Sequence, residues 1–351
     1  MKLWLFIAKR IVFAFIAIIG LTFIVFILLH TAGNNLLLSE YINPRLTGPA
    51  REQVIHELTL KFHLNDPIYV QYFYWLVAIF SGDLGYTNTP IYSGPVSGAI
   101  ALFLPNTILL TIIASILIWI IGVPIGVRSA VKRDSAFDQS VRVVSFALYS
   151  MPIYLVAFLL ILVFGVYLKI LPFAFSLSPT LASNLSWYVN GVSYPTHIVI
   201  IDALIHGNLT AFANAILHAI LPALTLALST IAGIMRILRA SMLEVLDQDY
   251  VRLARAKGVP EKVVINLHAR RNALIPVLTL YGYTVASLLG GAVVIEDIFS
   301  YPGMGYWTTQ ALLNNDVGGI MASTLIFGIV FVIASLLLDI IYALIDPRIR
   351  Y

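Results

Sequence analysis

Eight basic residues gather between Arg236 and Arg271: Arg236, Arg239, Arg252, Arg255, Lys257, Lys262, Arg270 and Arg271. They are eight of the chain's 21 lysines and arginines. Most of them lie in its most polar stretch, Leu243 to Pro276, which reads LEVLDQDYVRLARAKGVPEKVVINLHARRNALIP. Guanidinium and ammonium groups at this density hold carboxylates, phosphates or carbonyl oxygens; by themselves they make and break no covalent bonds. The sequence contains no G-x-x-x-x-G-K-[ST] phosphate loop, no H-E-x-x-H pair and no G-x-S-x-G elbow. It has no cysteine, which excludes disulfides and thiolate metal sites. Ionisable residues inside the apolar segments are few, chiefly Asp339, His218 and Lys169. That scarcity argues against a proton or sodium relay, and Asp339 reads as an interfacial or packing residue. The chemistry on offer is binding.

Two elements must position the basic residues. Leu246, Tyr250 and Leu253 fall at i, i+4 and i+7, on one face of a helix. Gly258 is placed to end that helix, since glycine accepts the left-handed backbone of a C-cap. Pro260 suits the first turn of a second helix. The result is two short amphipathic helices meeting at a corner between apolar segments, shaped to dock into a groove on a partner. A basic amphipathic helix beside a membrane also lies on anionic headgroups, and both readings stand at this point.

The chain has 351 residues, of which 60% are hydrophobic and 11% charged, with a mean hydropathy of +0.93. A soluble domain of this size is not so apolar, so most of the chain faces lipid or packs in a bundle within lipid. Six segments are long enough to cross a bilayer, near 11–30, 106–127, 143–168, 215–237, 274–296 and 320–345. Basic residues crowd the N-terminus, the loops after the second and fourth segments, and the C-terminus, which predicts that both termini are cytoplasmic. The net charge of +4 is thus an orientation signal, and nucleic acid is not a predicted partner. The first segment is too long for a signal-peptide core and reads as an uncleaved span. Outside, the spacing predicts a helix over Gly48–Phe62 with Ile55, Leu58 and Phe62 on one face. A second helix is predicted from Pro67 to the turn Gly82-Asp83-Leu84-Gly85, rich in Tyr69, Tyr72, Phe73, Tyr74 and Trp75. Those aromatics suit an interfacial platform. The outer loop 171–212 holds two N-glycosylation patterns, at Asn184 and Asn208. Pro124, Pro152 and Pro222 mark kinks within spans. Gly282, Ala286 and Gly290 form an i, i+4, i+8 row of small residues suited to helix packing or to the pathway wall.

Residues 250–258, YVRLARAKG, resemble the cytoplasmic "EAA" loop of permease subunits of oligopeptide/dipeptide-class ABC importers. Ala254, Arg255, Ala256 and Gly258 match that loop, and Arg252 stands where the motif's acid would be. Leu104-Pro105-Asn106-Thr107, Gly82-Asp83-Leu84-Gly85, AVVIEDIFSYPGMG at 292–305 and the tail DPRIRY at 346–351 also resemble the class, in order and over nearly the whole length. The outer loop 171–212 is longer than usual for it.

The resemblance implies an all-α membrane protein of six transmembrane helices, the type I ABC importer fold, with an extracytoplasmic helical insertion between helices 1 and 2. Its parts would be an N-terminal helix (1–30), an extracytoplasmic region (31–97), a transmembrane core (98–345) and a cytoplasmic tail (346–351). The coupling loop 243–276 would contact the ATPase through Tyr250, Leu253, Ala254, Arg255, Ala256, Lys257, Gly258 and Pro260. Also implied are a second homologous permease subunit, two ATPase subunits that bind the ATP, and an extracytoplasmic substrate-binding protein. The substrate would be an oligopeptide or an oligosaccharide, carried across the cell membrane with no catalysis and no cofactor in this chain. An ion-coupled carrier or channel acting alone is the competing reading.

Overall fold

The computed structural model describes residues 3–31, 38, 41–43, 46–189 and 191–345. The expected tail at 346–351 and parts of the region 31–97 (32–37, 39–40 and 44–45) lie outside the described residues. Long runs of Leu, Ile, Val, Ala and Phe become helices because a backbone in lipid must satisfy its polar groups within its own segment. In chain order these are α1 (Leu3–Thr31), α2 (Pro49–Lys61), α3 (Ile68–Phe80), a hairpin of β1 (Tyr86–Thr89) and β2 (Tyr92–Pro95), and α4 (Val96–Leu117). A π-helical turn (Ile118–Gly122) leads into α5 (Val123–Val131), then α6 (Ala136–Ser150) and α7 (Ile153–Leu160), which a second π turn extends to Tyr167. After α8 (Pro179–Ala182), a small hairpin of β3 (Tyr188–Val189) and β4 (Val192–Ser193), and α9 (Val199–Ile205) comes α10 (Leu209–Leu246). Then follow α11 (Asp249–Ala256), α12 (Glu261–Val263), a third π turn (Val264–Ala269), α13 (Arg270–Ile298), α14 (Met304–Leu313) and α15 (Val317–Ile345).

The structure is a multi-span helical membrane bundle, but it does not show six spans. Among the described residues four helices are long and apolar enough to cross: Ile7–Leu28, Val96–Val131, Leu209–Leu246 and Val317–Ile340. A fifth exists only if α6 and α7, bent by 112°, count as one. Pro152 causes that break. It has no N–H to donate, and it biases Met151 to extended backbone (φ −78°, ψ 135°). The fifth expected segment falls in α13, which is 29 residues long and the least apolar of the long helices.

The chain divides into two compact units, residues 1–107, 182–207 and 300–351, and residues 108–181 and 208–299. In the first, Phe26 of α1, Leu58 of α2, Phe62 at the end of α2 and Trp75 of α3 form one buried cluster. Both predicted outer helices are present. The expectation of an interfacial Trp75 is corrected, since it is 1% exposed against Phe26, whereas Tyr69 and Phe73 are exposed. Its face of α3 turns toward α1 and α2, which a count of aromatics does not reveal. Two of the family-resembling stretches meet here: Asn106 Nδ2 donates to the Pro302 carbonyl at 2.9 Å, and Met304 N–H donates to Thr107 Oγ1 at 2.8 Å. Asp339 of α15 pairs with Arg10 of α1 at 2.9 Å, a packing role.

In the second unit α10 is the central helix. Its N-terminus is capped by Asn208, whose Oδ1 accepts from Ala211 N–H at 2.9 Å. α5 lies close against it, and a Cβ on Gly126 would sit 3.3 Å from the Met235 Cα. Of the small-residue row on α13, Gly282 is buried, but a Cβ on Gly290 would meet nothing within 4 Å. Among the described residues, none packs closely at Gly290. The side chain of Ala286 lies outside what is described.

Candidate functional site

The predicted polar loop 243–276 is mostly helix. Leu243–Leu246 finish α10, and Pro276 lies inside α13. Only 247–248 and 257–260 break the helices. α11 starts at Asp249 and ends as its sequence suggests: Gly258 takes φ +75°. Its N–H donates to the Arg255 carbonyl at 2.9 Å, while Val259 N–H donates to the Ala254 carbonyl at 3.2 Å. These two bonds form the Schellman closure, and Val259 packs on the cluster that contains Ala254, the apolar contact such a closure favours. Pro260 stands as the N-cap of α12, one residue ahead of its predicted place in the first turn. The second helix is not a separate short one. From Glu261 it runs through the π turn into α13.

The expected row Leu246, Tyr250 and Leu253 does not lie on one helix. Val251 and Ala254 are buried with Val264, backed by Val245, Leu246 and Val259. Tyr250 and Leu253 are 42% and 54% exposed. The break at Asp247–Gln248 puts Leu246 on a different helix, so the i, i+4, i+7 row does not continue through it. Ala256, Lys257, Gly258 and Pro260 are exposed as well. Arg255, expected as a charged contact to a partner, holds Glu261 through two contacts, Nη2–Oε1 at 2.8 Å and Nε–Oε2 at 3.2 Å. That hydrogen-bonded fork keeps the Glu261 carboxyl below its ordinary range. It closes the corner from α11 to α12.

The second unit also holds a buried ion pair that the sequence did not suggest. Asp138 on α6 is fully buried, and Arg239 on α10 is 18% exposed. Arg239 Nε and Nη2 donate to the two Asp138 oxygens at 2.6 and 2.7 Å. Ser129 Oγ donates to the same carboxylate at 2.6 Å, and Asp134 N–H at 3.0 Å. Four donors thus converge on the one buried carboxylate. The one local signal was Ser135, the N-cap of α6, which accepts from Asp138 N–H. The arrangement can bind and brace.

The chain is a multi-span helical membrane bundle with an exposed helical corner. Comparison with known proteins gives its family. The family described as binding-protein-dependent transport system inner membrane component matches residues 122–351. The oligopeptide transport system permease protein of Bacillus subtilis is 36% identical over 349 residues, 99% of each chain. The dipeptide transport system permease protein of Escherichia coli is 32% identical, covering 99% of this chain and 98% of its own. A putative peptide permease protein of Brucella suis is 38% identical over 95% of each. The chain belongs to this family of inner membrane transport components, and it is a non-catalytic permease subunit of an ABC transport system.

Proposed function

We propose that the chain forms half of the translocation pathway of an ATP-driven peptide importer. A second, homologous permease supplies the other half, two ATPase subunits dock on the corner at 249–260, and an extracytoplasmic binding protein delivers the substrate. The observation that carries this is the corner itself. Tyr250 and Leu253 are exposed on α11, and Lys257 and Gly258 on the turn that closes it, in a chain without a nucleotide loop. Peptide is favoured over oligosaccharide because the relatives above are named for peptides. Nothing observed favours an ion-coupled carrier.

The importer reading retains six crossings, with α6–α7 as a broken third and α13 as the fifth, and a core over residues 98–345. The open side of Gly290 is then a surface for the sister permease. Nucleotide-driven closure of the ATPases would move the corner and bias the bundle between two states. The test is reconstitution. The chain alone should transport nothing, and the full set of subunits should show substrate-stimulated ATP hydrolysis. Ion-driven uptake by the chain alone would overturn the proposal.

Orientation follows from the charge distribution: both termini and the corner are cytoplasmic, and Asp83 is outside. Reporter fusions at Asp83 and at Lys262 are expected to report opposite sides, and the same side for both would refute the arrangement. The Arg255–Glu261 bridge gives a second expectation. Both groups are exposed, so Arg255→Glu should change stability by no more than about 1 kcal/mol. It should nevertheless open the corner and weaken ATPase co-purification. The exchange Arg255→Glu with Glu261→Arg should restore co-purification if the bridge is the role. Continued loss in the exchange would assign Arg255 to the partner directly.

A further inference from the structure

Two of the π-helical turns flank one groove in the second unit. The turn at Ile118–Gly122 lies on one wall and the turn at Val264–Ala269 on the other, around a space of ≈ 620 Å³. The lining is segregated by chemistry. Trp119, Ile120 and Val127 make an apolar side, and Arg128, Lys132 and Arg270 stand at one end. Along the helix the apolar part from Trp119 to Val127 spans roughly 12 Å, which fits within one leaflet's half of a hydrocarbon core of about 30 Å.

Several basic residues near the groove, Arg133, Arg142, Arg239, Arg252 and Arg255, each face a carboxylate. Among the described residues Arg128, Lys132 and Arg270 are in no ion pair with one. A groove with an apolar wall and a basic end, at the level where a span leaves the bilayer, complements a molecule with an anionic head and an apolar tail. Basic pockets between helices on the cytoplasmic side recognise lipid headgroups in this way. A free anion would use the cations but not Ile120, which is 63% exposed.

We propose that this groove binds an anionic glycerophospholipid of the inner leaflet, its phosphate held by Arg128, Lys132 and Arg270 and one acyl chain laid along Trp119 and Ile120. The site rests on the orientation given above but not on docking of the ATPases. With the lipid in place the turn at Val264–Ala269, which continues the corner, is tied to α5. The ligand then reports on, and restrains, the element that moves.

The test is native mass spectrometry of the purified full chain in equimolar phosphatidylglycerol and phosphatidylcholine. Wild type is expected to retain phosphatidylglycerol preferentially. Lys132→Gln should lower that retention roughly fivefold, the equivalent of about 1 kcal/mol for one charge near a membrane surface. Arg128→Gln/Lys132→Gln/Arg270→Gln should abolish the preference, and the outer control Arg133→Gln should leave it intact. Trp119→Ala should weaken the lipid and leave any retention of inorganic phosphate unchanged, which separates a lipid from a free anion. If the triple variant is poorly folded, Lys132→Gln alone decides. Unchanged preference in Lys132→Gln overturns the proposal. So does a triple variant that keeps the preference but loses ATPase co-purification, since the groove would then serve an acidic protein surface. Failure of the importer reading appears elsewhere, as ATPases that never co-purify with wild type.

Discussion

Asp138→Asn is expected to destabilise the second unit by about 3–5 kcal/mol, the usual loss when one member of a buried ion pair is removed. The substitution leaves the Arg239 guanidinium, 18% exposed, without its counter-charge. It also weakens the bonds from Ser129 and the Asp134 backbone. Unfolding of the purified chain in detergent, followed by denaturant or heat, measures this directly. The double substitution Asp138→Leu/Arg239→Met should lose clearly less than the sum of the two singles, because it removes both charges together. A wild-type-like Asp138→Asn protein would show that the pair braces nothing.

Gly258→Leu is expected to reduce ATPase co-purification and substrate-stimulated hydrolysis more than tenfold, with the chain still inserted and paired with its sister permease. Two effects separate cleanly here. The backbone at φ +75° penalises any side chain by roughly 1 kcal/mol. Within the chain, a Cβ at this position meets nothing within 4 Å, so no clash inside the fold adds to that penalty. Gly258→Ala should therefore give a small loss of stability and partial coupling. The larger loss in leucine would come from the groove of the partner. If the corner only lies on headgroups, Gly258→Leu should be mild and any one of the eight basic residues about equally harmful. Normal coupling in Gly258→Leu would end the docking proposal.

How much was legible in the sequence depended on distance along the chain. The helix end at Gly258 and the outer helices at Pro49–Lys61 and Ile68–Phe80 rest on neighbours within a few residues, and local pattern found them. The row Leu246, Tyr250 and Leu253 was misread because counting continued across Asp247–Gln248 as if the helix did not break. Pro152 was read as a kink within a span, but the chain turns by 112° there. The hairpin from Tyr86 to Pro95 had strand-forming Tyr86, Thr87 and Thr89 before Pro90–Ile91 and Tyr92 after it, a signal overlooked between helices. Asp138 and Arg239 are 101 residues apart, and no spacing rule connects them. The meeting of Asn106 with Pro302 was hidden for the same reason, although both stretches drew attention separately.

The helical path from Glu261 to Ile298 has a mechanical reading. At about 1.5 Å per residue it is a rod roughly 55 Å long. Its two compliant points, the π turn at Val264–Ala269 and Pro276, both lie near the corner end. A shaft jointed near its driven end absorbs sideways swing there and passes thrust along its axis. Displacements at the corner should therefore arrive at Ile298 mainly as sliding, with little tilt.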